Sequence, residues 1–418
     1  MAGPLDGIRV LEVANWVAAP AAAMLLSDLG ASVIKVEPPQ GDISRGNIPS
    51  VANLAAPPPP NPGFQLNNRN KRSICINLEF PEGREIVRDL AKQADVMITN
   101  LTPRRVAKFE LGYETVKQLN PRLIYASVNA YGAKGPERDR LGFDYTAFWA
   151  RSGIMSLVGD RDGPPVVTRP GFGDHTTAIV IAYGVMIALF EREHTGRGQE
   201  VQASLLNTAM FVLGGDIQTA LAGRTPMPKH ARVEPRNPLS NPYKAKDGRW
   251  IHFQMGAADR YWRGFCAALG LESIRDDPRF QSLASRQEHS AELVPLIDAA
   301  IARRTREEWG DILDEQGLVW SPVQDVDEVI ADPQVAANGY ITEVEDPNRG
   351  PLKTLATPVR LSESEIAARG PAPELGQHTE EVLLEQGCTW DEIVRLRDAG
   401  AIGPSATPVR PHAPDAGR

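Results

Sequence analysis

Residues 8–37 read IRVLEVANWVAAPAAAMLLSDLGASVIKVE. Residues 8–13 form a short apolar run with the length of a buried strand. Residues 20–29, PAAAMLLSDL, read as a helix: Pro20 suits its first turn and Gly30 its C-terminal stop. Ser32–Glu37, SVIKVE, is a second strand. Strand, helix and strand in about 30 residues make a parallel βαβ unit. The pattern repeats outward: residues 82–94 place Ile86, Leu90 and Ala94 on one helical face, and strands follow at 96–99 (VMIT) and 123–128. The fold class is therefore α/β, a Rossmann-like open sheet.

The 418 residues suggest two or three domains at about 150 residues each. A large domain is expected over residues 1–200, a linker over 201–246, a small α+β domain over 247–320 and a connector returning to the large domain over 321–402. The small domain should hold a strand at 250–254 and helices at 258–269, 291–302 and 306–316. Residues 174–193, DHTTAIVIAYGVMIALFERE, are apolar nearly all round and predict a central buried helix. AAPPPPNPG at 55–63 favours extended backbone, either covering a site or as an ordered insertion, and residues 403–418 read as a disordered tail.

No apolar run approaches the roughly 20 residues of a membrane helix, so no membrane association is expected. The opening MAGPLDGIRV has no basic leader or apolar signal core, and Cys75, Cys266 and Cys388 lie far apart. A cytoplasmic protein with reduced thiols and no metal site is expected. A net charge of −8 argues against nucleic acid, so an anionic ligand would need a local basic patch.

Two basic stretches offer one: NRNKRS at 68–73 and NLTPRRVAKFELGYE at 100–114. Arg69, Lys71, Arg72, Arg104, Arg105 and Lys108 either face the carboxyl ends of the strands, where such sheets bind ligands, or are solvated surface charge. The first βα turn reads EVANWVAAP (12–20) without a glycine, which removes the GxGxxG cradle of a dinucleotide site. RPGFGDHTTA (169–178) places Asp174 at a helix start beside a glycine loop. The helix dipole should favour its ionised form. Such a carboxylate can attack an acyl carbon, with neighbouring backbone N–H groups stabilising the oxyanion. The plainer alternative is a helix N-cap. His175 reads as a satisfied packing residue, and Asp144, after another glycine turn, as a weaker candidate for orienting substrate.

PLDGIRVLEVANWVAAPAAAMLLSDLGASVIKVEPPQGD, NKRSICINL, ADVMITNLTP, LNPRLIYASVNAYG, GFGDHTTA, ALFEREHTGRGQEVQASL, ADPQVAANGYITEVEDP and LGQHTEEVL follow one another through about residues 4–400. In order and spacing they resemble the class III CoA-transferase family, which also includes α-methylacyl-CoA racemases. The resemblance implies a Rossmann-like large domain with a smaller inserted domain and an interlocked homodimer. It implies acyl-CoA and a carboxylic acid as substrates and no permanently bound cofactor. The family's nucleophilic aspartate falls on Asp174, carrying first an acyl and then a CoA group. CoA contacts fall on Trp16, Val17, Ala18, Lys71, Arg72, Asn100, Leu101, Arg104 and Lys108. A frequent basic residue is replaced by Pro38, and the NFRPG arginine by Thr102. Racemases carry a histidine where this chain reads Gly142-Phe143-Asp144. Phenylalanine cannot act as a base, which favours transfer; a racemase using His175, or a non-catalytic CoA-binding subunit, are the alternatives. The formyl-transferase glycine loop has no counterpart in FQMGAADRYW (253–262), and Trp16, Phe143, Phe148 and Trp149 suggest a bulky or apolar acyl group unless they are core.

Overall fold

The computed structural model describes residues 3–46, 61–166 and 168–403. The expected proline loop at 55–63 and tail at 403–418 therefore fall almost wholly outside the described residues. The chain divides into two compact units, one of residues 1–154, 167–218 and 337–418, the other of 155–166 and 219–336.

The first unit holds six parallel strands: β1 Arg9–Val13, β2 Ser32–Glu37, β3 Lys71–Cys75, β4 Val96–Thr99, β5 Ile124–Asn129 and β6 Glu200–Ser204. Their order is β3-β2-β1-β4-β5-β6. The order reverses between β1 and β4, where Leu11 pairs with Ile34 on one side and Met97 on the other. A crevice opens there at the carboxyl ends of the strands. Alternate β-branched and aliphatic side chains serve two cores. Val10, Val33, Val96, Ile98 and Ile124 pack with helix α1 (Ala18–Asp28) and a long helix, Phe172–Thr195. Leu11, Val13, Val36, Ile74 and Met97 face the other side with residues from α3 (Pro81–Gln93), α5 (Tyr113–Leu119) and the C-terminal segment. Helices α2 (Pro62–Asn68) and α4 (Pro103–Phe109) complete the N-terminal part. Full burial of each Val, Leu or Ile contributes about 1.5–3 kcal/mol, which is why strands covered on both faces read as apolar runs.

Two expectations change. The stretch 201–246, expected as linker, begins with the end of β6 and helices Leu205–Val212 and Gly214–Leu221. The long helix is buried on one face only: Ala178, Ile181, Val185 and Ala188 are covered, while Ile179, Tyr183, Ile187 and Phe190 are exposed. By length and composition it would also pass for a membrane span, which the sequence reading missed because Asp174 and the terminal charges interrupt the run. Its packed face is that of a core helix.

In the second unit, antiparallel strands Pro242–Lys244, Trp250–Phe253 and Trp320–Pro322 lie with helices Ala258–Leu269, Ser290–Ile301 and Arg306–Glu315. Tyr243, Phe253, Trp262, Phe265 and Phe280 form its core. Arg286 is fully buried there, donating to the Phe280 carbonyl at 2.6 Å, paired with Asp259 and 5.0 Å above the Trp262 ring. Cation–π contact and ion pairing together offset its desolvation.

Candidate active site

The crevice contains a cavity of about 280 Å³. Its floor is the turn after β1: Asn15, Trp16, Val17 and Ala18. Asn100 and Leu101 enter from the end of β4, Asn129 from the end of β5, and Asp174 from the first turn of the long helix. Asn100 ties two of these walls together. Its Nδ2 donates to the Asn15 carbonyl at 2.7 Å, and its Oδ1 accepts from the Asn15 N–H at 3.2 Å. Arg105, Arg138, Leu141 and Phe143 line the remaining sides.

Asp174 does not cap its helix. Gly171 holds that place at φ 97°, a left-handed conformation that suits glycine. The helix-start amides are met from outside: Asp144 Oδ2 accepts from Gly171 N–H at 2.7 Å and its Oδ1 from Gly173 N–H at 3.1 Å. A Cβ at Gly173 would collide with the Asp144 carboxylate and the Phe148 ring. Gly173→Ala is therefore expected to destabilise the chain by about 2–3 kcal/mol and stop turnover, read by thermal unfolding and steady-state rate. A variant with unchanged stability and rate would remove this contact from the site.

The Asp144 carboxylate is buried, and Asp174 is half-buried with no hydrogen bond to its carboxylate among the described residues. Burial first, and then the Asp144 charge, push the Asp174 carboxyl up to about 7. This reverses the dipole expectation: two amides that would favour an Asp174 anion are already given to Asp144. For the same reason Gly171 and Gly173 N–H are not free oxyanion donors. Asp174 is thus a desolvated, unpaired carboxyl that ionises around neutral pH, which is the condition for a carboxylate nucleophile.

His175 donates from Nε2 to Asn67 Oδ1 at 3.0 Å, and burial holds its imidazole below the usual range. It packs as a neutral, satisfied ring and does not line the cavity. Phe143 does line it, 57% exposed and edge-on to Trp16 at 6.0 Å. Phe148 and Trp149 stay in the packing beneath, with Trp149 edge-on to Phe148 and to Phe172.

The basic residues separate sharply. Lys71 is sealed inside, its Nζ reaching Glu12 Oε2 at 2.6 Å, the Pro20 and Asn67 carbonyls and Asn68 Oδ1. Burial lowers its ammonium to about 8. Arg69 is buried against Asp28. Arg72 pairs with Glu381 and Glu385 on the C-terminal helix Thr379–Glu385. Arg104 and Lys108 are exposed on α4 and do not line the cavity; Lys108 pairs with Glu79. Arg105 alone of these enters the cavity, and it also lines a second one of about 250 Å³ with Asn15, Leu101, Pro38 and Phe109. Its guanidinium makes no ion pair or hydrogen bond among the described residues and lies 5.4 Å over the Phe109 ring.

Asp174 lines the first of these cavities and Arg105 lines both, and residues 5–379 match the family model described as CoA-transferase family III. The chain belongs to this family. It is 35% identical over 403 residues to the (R)-2-hydroxy-4-methylpentanoate CoA-transferase of Clostridioides difficile, covering 95% of this chain and 99% of that one. To the cinnamoyl-CoA:phenyllactate CoA-transferase of Clostridium sporogenes it is 34% identical over 398 residues, covering 94% and 95%. A CAIB/BAIF family protein from Brucella suis superimposes with a TM-score of 0.82 at 32% identity, over 92% of this chain and all of that one. The chain is thus a family III CoA-transferase, an enzyme that acts on CoA thioesters.

The sequence reading missed the buried charges below the floor. Glu12 and Lys35 are fully buried in β1 and β2 and pair at 2.7 Å, and Lys35 also pairs with Asp42 at 2.8 Å. Their signal was present: a charged residue inside each of two apolar strand runs, LEVA and VIKVE. Arg138, Arg140, Leu141 and Ile43 were missed with no local signal, since only the folded loops bring them to the cavity.

Proposed function

We propose that this chain moves CoA from an acyl-CoA donor to a carboxylic acid acceptor with Asp174 as the covalent carrier. The observation that carries the reading is the Asp174 carboxyl, unpaired and poised near neutrality in the switch-point cavity. Its carboxylate oxygen attacks the thioester carbon, the C–S bond breaks, and a mixed anhydride and CoA thiolate result. The thiolate attacks the aspartyl carbonyl of the anhydride and releases the donor acid, leaving an aspartyl-CoA thioester. The acceptor carboxylate attacks that thioester carbonyl and expels CoA thiolate. The thiolate then takes the acyl carbon of the second anhydride, freeing Asp174. No other cofactor is required.

Trp16, Val17, Ala18, Asn100 and Leu101 surround the thioester arm in this reading, and the second cavity takes the nucleotide end. Asn15 Oδ1 is buried without a partner between the two and suits an amide N–H of the arm. Arg105 is the phosphate contact, in place of Lys71, Arg72, Arg104 and Lys108. Arg105→Ala is expected to raise KM for the acyl-CoA about tenfold with kcat nearly unchanged, and Lys108→Ala to change neither. The reverse ranking would move the phosphates to the outer face of α4.

Intact mass after incubation with acyl-CoAs, with peptide mapping, tests the carrier. An acyl or CoA adduct on Asp174 is expected; its absence in a chain that still turns over would overturn the assignment. α-Hydrogen exchange in heavy water should be negligible, because Phe143 stands where a base is needed and His175 is held by Asn67. The exposed apolar strip of the long helix supports an interlocked homodimer, with the second unit as the family's inserted small domain; sedimentation should then give twice the chain mass.

A further inference from the structure

Trp16 sits at φ 70°, in the left-handed region where a large side chain is strained. Strain of this kind persists only where surrounding contacts over-determine the backbone, and it gathers at functional sites. The contact here is Asp42. Its Oδ1 accepts from the Trp16 N–H at 3.1 Å, and also from Ser44 N–H and Oγ. Its Oδ2 takes Lys35 Nζ at 2.8 Å; Lys35 continues to Glu12, and Glu12 to Lys71. The side chains of Glu12, Lys35 and Lys71 are fully buried, as is nearly all of Asp42. Burial opposes each charge, yet Lys35 keeps Asp42 ionised, its carboxyl held below the usual range. A buried ion chain of this kind is a costly way to add stability but an effective way to fix one geometry.

What it fixes is the wall of the cavity. Trp16 and Ile43, the residue after Asp42, both line the space that holds Asp174, and the Trp16 ring stands edge-on to Phe143. Arg138 and Arg140 of the same cavity are paired with Asp139 and Glu137, while Arg105 opens into the second cavity. Trp16, Val17, Ile43, Leu141 and Phe143 give this cavity an apolar side.

We propose that Asp42 is a positioning residue for substrate selection: it holds Trp16 where its ring and Phe143 form an apolar clamp, so that the site favours acyl groups bearing a branched-alkyl or aryl side chain over short ones. The inference rests on reading the cavity as the acyl-CoA site.

The test compares the Kd of S-benzyl-CoA and S-methyl-CoA by calorimetry, two thioethers with no acyl group to transfer. The native chain should prefer the benzyl compound by about tenfold or more. Trp16→Gly, which relieves the strain and removes the ring, should bring the two within about twofold, while Trp16→Phe should keep most of the preference. Asp42→Asn should lower the preference at least about threefold, and Asp42→Glu, which keeps a charge for Lys35 but moves the acceptor, should do so with the fold intact. In a chain already carrying Trp16→Gly, Asp42→Asn should have no further effect on the ratio, because it acts through Trp16. A preference that survives Trp16→Gly, or Asp42 variants that weaken both compounds equally, would overturn the proposal. Turnover is not needed. A chain that shows the preference but transfers no CoA overturns the proposed reaction alone, and one that transfers CoA with the preference intact in Trp16→Gly overturns this inference alone.

Discussion

Asp174→Asn is expected to lower kcat by about 10⁴-fold or more and, at the same time, to raise the melting temperature at pH 8 by a few degrees. The first effect follows from removing the only group proposed to form a covalent bond to substrate. The second follows from the proton. Asp174 ionises near 7 in the folded chain, against 3.8 as its ordinary value, through burial and the neighbouring Asp144 charge. The folded state therefore binds more protons than the unfolded one between these values, and the native chain loses stability as pH rises through that window. Allowing for partial solvent screening, the loss is about 2 kcal/mol. A neutral amide escapes it. The stabilisation should be present at pH 8 and vanish near pH 4, where both chains are neutral at this position. Equal gains at both pH values in thermal melts would show that the carboxyl is not held up by its surroundings. Retained transfer would remove Asp174 as the carrier. A group that costs stability where it works is the pattern of an active-site residue.

Asp144→Asn should act in two opposed ways. Asn puts an NH2 donor in place of one of the two accepting oxygens, opposite a glycine N–H, so the glycine turn loosens and transfer at pH 8 should fall about 10–100-fold. The like charge beside Asp174 also disappears. The rise of the single-turnover acylation rate with pH is expected to centre near 7 in the native chain and to move toward the ordinary carboxylate range in the variant. The variant then keeps a larger share of its maximal rate at pH 5. The two carboxyls titrate together, so the profile belongs to the pair. An unshifted profile would limit Asp144 to holding the loop.

Much of this was legible in the chain itself. The stretch 8–37 carries strand and helix periodicities that neighbouring residues impose on each other, and Ser32–Glu37 and Val96–Thr99 fold as read. Asp174 beside two glycines at a helix start is also a local fact. The basic residues were not legible in this way. NKRS offers Lys71 and Arg72 side by side, but adjacent strand residues point to opposite faces. On β3 this sends Lys71 into the core toward Glu12 and Arg72 out to Glu381.

The sequence by itself determined the parallel sheet, the family and the place of Asp174 at a helix start beside two glycines, because each depends on residue types at short, regular spacings. Only the tertiary structure decided which cation lines the cavity, which carboxyl accepts from the glycine amides and what the Trp16 N–H bonds to. Those depend on burial and on charges brought together from distant segments: Asp144 under Gly171, Asp42 under Trp16, Lys35 between Glu12 and Asp42. Electrostatic energy is set by distance and solvent exclusion in space, and neither can be read from separation along the chain.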